Sequence, residues 1–261
     1  LAEVDVIIPA GGKINPAFER VAGTSNKALI RLEGTTVLAN TLQCLRALPG
    51  VNRIVVIGDD DVRQACGSLA TEVLPELKTG PQNIFSGLRW LQNSHDPAEQ
   101  VLIVTSDLPF LTPDVLANFI SLCPKGQDFC VPLISKDSFA ECFPSAEATF
   151  VRLRDGTWTT GCAYLATPKG LFTAIEHIEK VFENRKSKLG MARILGAKFV
   201  YGYLTHTLTV NDVEKKVKDL LKCSAVAIPG SPAELAFDID YIDDYHYALN
   251  AIKLQSKDRN G

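Results

Sequence analysis

Along the first half of this 261-residue chain, apolar residues come in two spacings that take turns. Short β-branched runs read as buried strands at Val4–Pro9, Arg53–Gly58 and Gln100–Thr105. Between them, helical spacing covers Thr36–Ala47, which Pro49-Gly50 ends, then a segment from Asp59 through Ala70, and Gln82–Gln92. Pro113–Leu122 follows as a helix with Thr112 as its cap, and Leu74-Pro75 starts a short strand or loop. Strands that alternate with helices predict βαβ units and a parallel sheet of the α/β class.

The second half changes character. Phe129–Ile134 and Glu147–Leu153 read as strands, and Lys169–Glu183, Gly190–Leu195 and Asn211–Leu221 as helices, which predicts a helical insertion or lid over 169–222. Ala225–Ile228 and Leu235–Ile239 are expected as late strands, Asp243–Ile252 as a final helix, and 253–261 as a fraying polar tail. The expected organisation is one domain over residues 1–252.

Composition narrows the function more than the fold. A net charge of −3 and a pI near 5.9 leave no basic footprint, which argues against a polymeric nucleic-acid partner. The seven cysteines are scattered and odd in number, fitting neither a metal motif nor a disulfide framework, so a reducing, cytoplasmic setting is expected. No basic flank precedes Val4, and no apolar run approaches the roughly 20 residues needed to span a bilayer. The four histidines, His95, His177, His206 and His246, have no ligand spacing. Oligomeric state stays open.

Candidate chemistry collects at strand ends. Pro9-Ala10-Gly11-Gly12 follows the first strand, where glycines let backbone N–H groups approach phosphates, and Lys27 supplies a mobile positive charge; the plain alternative is a turn. Asp107 sits at the tip of the Gln100–Thr105 strand, placed to hold Mg²⁺ over an α-phosphate or to cap the following turn. In a strand over Leu235–Ile239, Asp238 and Asp240 share a face and need a cation or water between them, with Asp240 the preferred ligand. Asp243 and Asp244 suit the start of the last helix. Arg185-Lys186-Ser187-Lys188 is a basic cluster that could meet an acceptor phosphate or leaving pyrophosphate through Lys186 and Lys188, or be a solvated charge run.

The opening strand into Ala10-Gly11-Gly12, Lys27-Ala28-Leu29, Asp107-Leu108-Pro109-Phe110 and Asp238-Ile239-Asp240 through Asp244-Tyr245 resemble, in that order, molybdenum cofactor guanylyltransferase-like nucleotidyltransferases. The resemblance covers nearly the whole chain. It implies a three-layer α/β/α fold with a mainly parallel twisted sheet, the glycine loop and Lys27 on a nucleoside triphosphate, and Mg²⁺ on Asp107 and Asp240. It also implies base contact by Asn83, which reads equally as a helix N-cap, with Gly80 leaving room for the base. Thr160-Gly161-Cys162-Ala163 resembles an acceptor-pocket loop, with Gly161 the candidate contact, and reads almost equally as a plain strand entry. One departure stands out: the family's arginine is missing after the glycines, leaving Lys13 or Arg20 to replace it.

The expected reaction is nucleotidyl transfer from an NTP to a phosphorylated small molecule, with pyrophosphate released. A phosphate monoester needs no histidine base to attack. The rival reading is a nucleotide-binding regulatory protein that has lost turnover. Which NTP and which acceptor are involved is not written in the sequence.

Overall fold

Each early strand sends its side chains to two different cores. The computed structural model describes residues 3–184 and 187–258. Its first half runs β1 (Val4–Pro9), α1 (Pro16–Ala22), β2 (Arg31–Leu32), β3 (Thr35–Thr36), α2 (Val37–Ala47), β4 (Val51–Gly58), α3 (Asp60–Cys66), β5 (Glu72–Pro75), α4 (Gly80–Gln92), β6 (Gln100–Val104) and α5 (Pro113–Leu122). The second half runs β7 (Phe129–Ser135), α6 (Lys136–Cys142), β8 (Val151–Leu153), β9 (Gly156–Thr160), β10 (Ala163–Ala166), α7 (Pro168–Asn184), α8 (Lys188–Leu195), α9 (Ala197–Leu204), α10 (Val210–Leu221), β11 (Ala225–Pro229) and α11 (Ile242–Asp258). Two 3₁₀ turns, Lys27–Leu29 and Ala233–Ala236, complete the set among the described residues.

Nine strands form one sheet in the order β5-β4-β1-β6-β10-β7-β9-β8, with β11 paired to β7. The β5-β4-β1-β6 half is parallel, β10 runs antiparallel between β6 and β7, and β11 lies parallel to β7. Val6 and Ile8 of β1, Ile54 and Val56 of β4, and Leu102 and Val104 of β6 pack with α2, α3 and α5 on one face. Their neighbours Ile7, Val55, Ile57, Val101 and Ile103 pack with α4 and α7 on the other. That period of two, buried on both faces, is why these strands carry almost no polar residue. The expected three-layer α/β/α architecture results.

Several elements differ from the sequence reading. The helix begun at Asp60 stops at Cys66 rather than Ala70, because Gly67 takes φ +52 and leaves helical space. Of Glu147–Leu153 only Val151–Leu153 pairs as a strand. The last helix runs on to Asp258, through most of the expected tail. Leu235–Ile239 is not a strand: a 3₁₀ turn ends at Ala236, and Phe237–Asp240 continues as unpaired chain. α1, β2, β3, α6, β9 and α9 were not foreseen, and β10 was foreseen only as the strand entry at Thr160–Ala163. Strands β9 and β10 occupy successive stretches of one β7 edge, broken at Gly161-Cys162.

A third core cluster, rich in phenylalanine, sits beyond the sheet and joins Phe18 of α1, Phe139 and the adjoining Phe143 of α6, Phe237, and Ala248 of α11. Phe237 meets the rings of Phe143 at 4.9 Å and Phe110 at 5.0 Å. No described helix is long and apolar enough to cross a membrane.

Candidate active site

Two strand ends deliver the site. After β1, the loop Ala10–Gly12 is fixed by Asn26, a buried side chain whose Nδ2 donates to Ala10 O (2.9 Å) and whose Oδ1 accepts from Ala28 N (2.9 Å). Lys27 N donates to Gly12 O (2.8 Å), so the loop and the lysine are built as one piece. After β6, the buried Ser106 donates its hydroxyl to Pro9 O (3.1 Å) and holds the two strand ends together. Asp107 follows, and its carbonyl accepts from Ile239 N (3.1 Å).

That last bond brings in Phe237–Asp240. Phe237 and Ile239 are buried, so the alternating Asp238 and Asp240 turn the other way, toward Asp107. The extended backbone produces the shared face that was expected of a strand, without strand pairing. Asp244 secures the segment's end: its Oδ2 accepts from Asp240 N (3.0 Å) and Tyr241 N (2.7 Å) at the start of α11.

Carboxylate oxygens of Asp107, Asp238 and Asp240 lie within 4.8 Å of one another. Lys27 Nζ is 3.7 Å from Asp107 and hydrogen-bonds Asp240. Burial pushes the Lys27 ammonium down, but the bond to Asp240 and the three carboxylate charges outweigh it and hold the group above its ordinary value. Burial, reinforced by the charges of Asp107 and Asp240, pushes Asp238 up to about 7. Asp107 is raised too, chiefly by burial, with the nearby Thr105 hydroxyl and then the Lys27 charge opposing. One ammonium does not neutralise three carboxylates, and Asp107 Oδ1 is buried without a hydrogen-bond partner. A buried orphan acceptor in a set of hard oxygen donors fits a small divalent cation held by these residues.

The cluster stands between two clefts. The smaller, about 270 Å³, is lined by Gly11, Gly12, Lys27, Lys78, Gly80 and Asn83, with Asp107 at its edge. The larger, about 680 Å³, is lined by the 145–149 loop, Thr159, Thr160, the 236–238 segment, Asp240, and the start of α11. A carboxylate, that of Glu76, lies directly over Gly11, in the space a side chain there would need.

Lys27, Asp107 and Asp240 are therefore brought together, and Asp238 joins them as a full member. Asn83 is buried in the first turn of α4, its Oδ1 accepting from Leu77 N (2.7 Å); the cap of α4 is Thr79, whose hydroxyl accepts from Gln82 N (3.3 Å), so the N-cap reading of Asn83 is corrected. Gly80 opens the same helix at the smaller cleft. Lys13 pairs with Asp59 at 2.7 Å, and neither it nor the exposed Arg20 of α1 lines either cleft. Gly161 is buried, since a side chain there would meet Leu235 and Pro132; its neighbours Thr159 and Thr160 line the larger cleft instead. Lys186 lies outside the described residues, and Lys188 begins α8.

Sequence reasoning missed Asn26, Ser106 and Lys78. Asn26, directly before Lys27-Ala28-Leu29, carried a capping signal; Ser106 beside Asp107 carried none.

A family model described as the MobA-like NTP transferase domain matches residues 6–189. Among curated proteins, none matches the chain. A solved hypothetical transferase from Thermus thermophilus is 26% identical, with a TM-score of 0.80 over 93% of this chain and 99% of its own. A nucleotidyl transferase from Methanothermobacter thermautotrophicus (14%, TM-score 0.60, covering 97% and 99%) shares the fold. So does a 4-diphosphocytidyl-2C-methyl-D-erythritol synthase from Anaerococcus prevotii (13%, 0.59, covering 97% and 96%). With its glycine loop, lysine and acidic centre at the ends of β1 and β6, the chain belongs to the MobA-like NTP transferase domain family and is a nucleotidyltransferase.

Proposed function

We propose that this protein transfers a nucleoside monophosphate from an NTP to a phosphorylated small molecule and releases pyrophosphate, with Mg²⁺ held by Asp107, Asp238 and Asp240. The observation that carries this reading is the position of the carboxylate cluster and Lys27 between a glycine-floored cleft and a second, larger one. The nucleotide occupies the smaller cleft and the acceptor the larger, so the two reacting groups meet at the carboxylates.

The chain's own residues supply positioning and charge. Backbone N–H groups of Gly11 and Gly12 receive phosphate oxygens, Lys27 neutralises a phosphate charge, and Asn26 keeps both in one geometry. Lys78, which lines the smaller cleft where Lys13 and Arg20 do not, takes the part of the missing family arginine. Asn83 and Gly80 border the nucleotide's base, with Asn83 Oδ1 held by Leu77 N. When bound, the cation neutralises charge that builds on the α-phosphate as the acceptor oxygen attacks. Residues 1–252 act as one unit, with α7–α10 as a helical insertion. Seven cysteines, none in a disulfide, suit a reducing cytoplasm.

The test is a screen of the four NTPs with Mg²⁺ against phosphorylated sugars, alcohols and pterins, scoring pyrophosphate and the NDP-linked product together. Equal amounts of both from one NTP and one acceptor establish the reaction. Mg²⁺-dependent NTP binding with no product across the whole screen would favour the regulatory reading.

A further inference from the structure

The helical insertion is basic and apolar at once. Between Glu183 and Asp212 the sequence holds Arg185, Lys186, Lys188, Arg193 and Lys198 and no Asp or Glu, so all 30 acidic residues of the chain lie outside this stretch, against 22 of its 27 basic ones. Apart from Lys198, helix α9 is built of Ala, Phe, Val, Tyr, Gly and Leu, and only Gly202 in it is buried. Lys198, Tyr201 and Leu204 follow at three-residue spacing along its outward face, where Tyr201 and Leu204 are each 69% exposed. A helix that faces only water carries polar residues there. In α8, Leu189 is 64% exposed and the exposed Arg193 stands one turn on. Strand β8 adds charge at the far end of α9: Arg154 N donates to Leu208 O (2.8 Å) and Arg152 O lies 3.2 Å from His206 Nδ1, which places two exposed arginines beside that loop. Asp155 and Asp212 at the same junction are engaged at the start of α10, accepting from Val210 N and Thr209 N (both 2.9 Å).

We propose that α9, with the adjoining α8 and β8, docks on the surface of an anionic lipid bilayer. Leu204 and Tyr201 enter the interface, and the basic residues around them meet lipid headgroups. The occupant must be anionic and apolar together, and the charge of the insertion selects among candidates. A second copy docked about a two-fold axis would set this basic face against itself. A nucleic acid would satisfy the arginines and lysines but leave Leu189 and Leu204 in water. An anionic bilayer offers both halves: negative headgroups for Arg193 and Lys198, and an apolar boundary where leucine is buried and tyrosine keeps its hydroxyl wet. Such docking needs no spanning helix and is independent of the transfer reaction.

Cosedimentation of the full chain tests this with vesicles of phosphatidylcholine alone and vesicles containing one-third phosphatidylserine, without nucleotide or Mg²⁺. The expected result is at least about tenfold tighter binding to the anionic vesicles, lost when salt is raised to about 0.5 M. Arg193→Gln/Lys198→Gln should weaken that binding about 25-fold, at about fivefold for each basic residue near the surface. Tyr201→Ser/Leu204→Ser should weaken it at least about tenfold with every charge in place. All four side chains are exposed, so both variants should melt as wild type does, which circular dichroism checks. Equal binding to the two vesicle types, no binding to either, or binding that survives both pairs of substitutions would overturn the proposal. In place of vesicle binding, a dimer dispersed by Tyr201→Ser/Leu204→Ser in light scattering would give the face to a second copy, and binding to double-stranded DNA would give it to nucleic acid; either result overturns the bilayer assignment and leaves the transfer reading untouched.

Discussion

Three carboxylates converging on one lysine is a costly arrangement in the absence of a further cation, and the cost depends on pH. With its carboxyl at about 7, Asp238 titrates well above an unfolded aspartate. The folded state therefore binds more protons between pH ~4 and ~7, and the metal-free protein loses stability as pH rises through that window. Asp238→Asn removes the liability. Denaturant unfolding without metal should find wild type less stable at pH 8 than at pH 5.5, by about 2 kcal/mol. The variant should show a smaller difference, and Mg²⁺ at pH 8 should restore the wild type but help the variant less. An identical pH dependence in both proteins would mean the carboxylates do not share charge as described. At this same scale, Lys27, Asp107 and Asp240 were legible as candidates because each ends or flanks a strongly patterned apolar run. Asp238 ranked second for want of a way to see that the whole segment bends to Asp107 through the Ile239 amide.

Among the elements, the sheet's parallel half could be read from local pattern, since a strand buried on both faces is apolar at every position. Phe237–Asp240 misled for a physical reason. Side-chain alternation belongs to any extended backbone, whereas pairing depends on a neighbour that may be far away in sequence. Strand β9 was hidden and β10 showed only as a strand entry because Gly161-Cys162 breaks the run, and α1 was hidden because it begins at Pro16 inside what reads as a loop. The junction of the late elements is equally invisible in sequence. Asp128 accepts from Ser224 N and Oγ (both 2.9 Å) and from Thr167 Oγ1 (3.1 Å), tying the start of β7 to β11 and to α7. The Ser224 amide, then the two hydroxyls, outweigh burial and hold the Asp128 carboxyl below its ordinary range. Its contribution is present above pH ~4 and is lost as pH falls through that lowered value. Asp128→Ala should cost about 1–3 kcal/mol in thermal or denaturant unfolding. A change within experimental error would show that the late strands dock without it.

For the molecule as a whole, the parallel strands β1 and β6 end side by side at one edge of the sheet, where open α/β sheets place their ligands. The unpaired chain before α11 closes that edge and separates two clefts of unlike character, one floored by glycine and lysine, the other acidic and aromatic. Fold and family could be anticipated from the order of motifs along the chain. The division of the site could not, because the larger cleft is built from the 145–149 loop, β9 and α11, which come together only in three dimensions. In the proposed reaction the central residue is Asp107, which lies 3.7 Å from Lys27 and within 4.8 Å of the neighbouring carboxylates. The most direct measurement is steady-state pyrophosphate release with saturating NTP, Mg²⁺ and acceptor, wild type against Asp107→Asn. Nucleotidyl transfer at the carboxylate cluster predicts a loss of about 10²–10³-fold in the variant with its fold intact; release at the wild-type rate would contradict it and put the chemistry elsewhere.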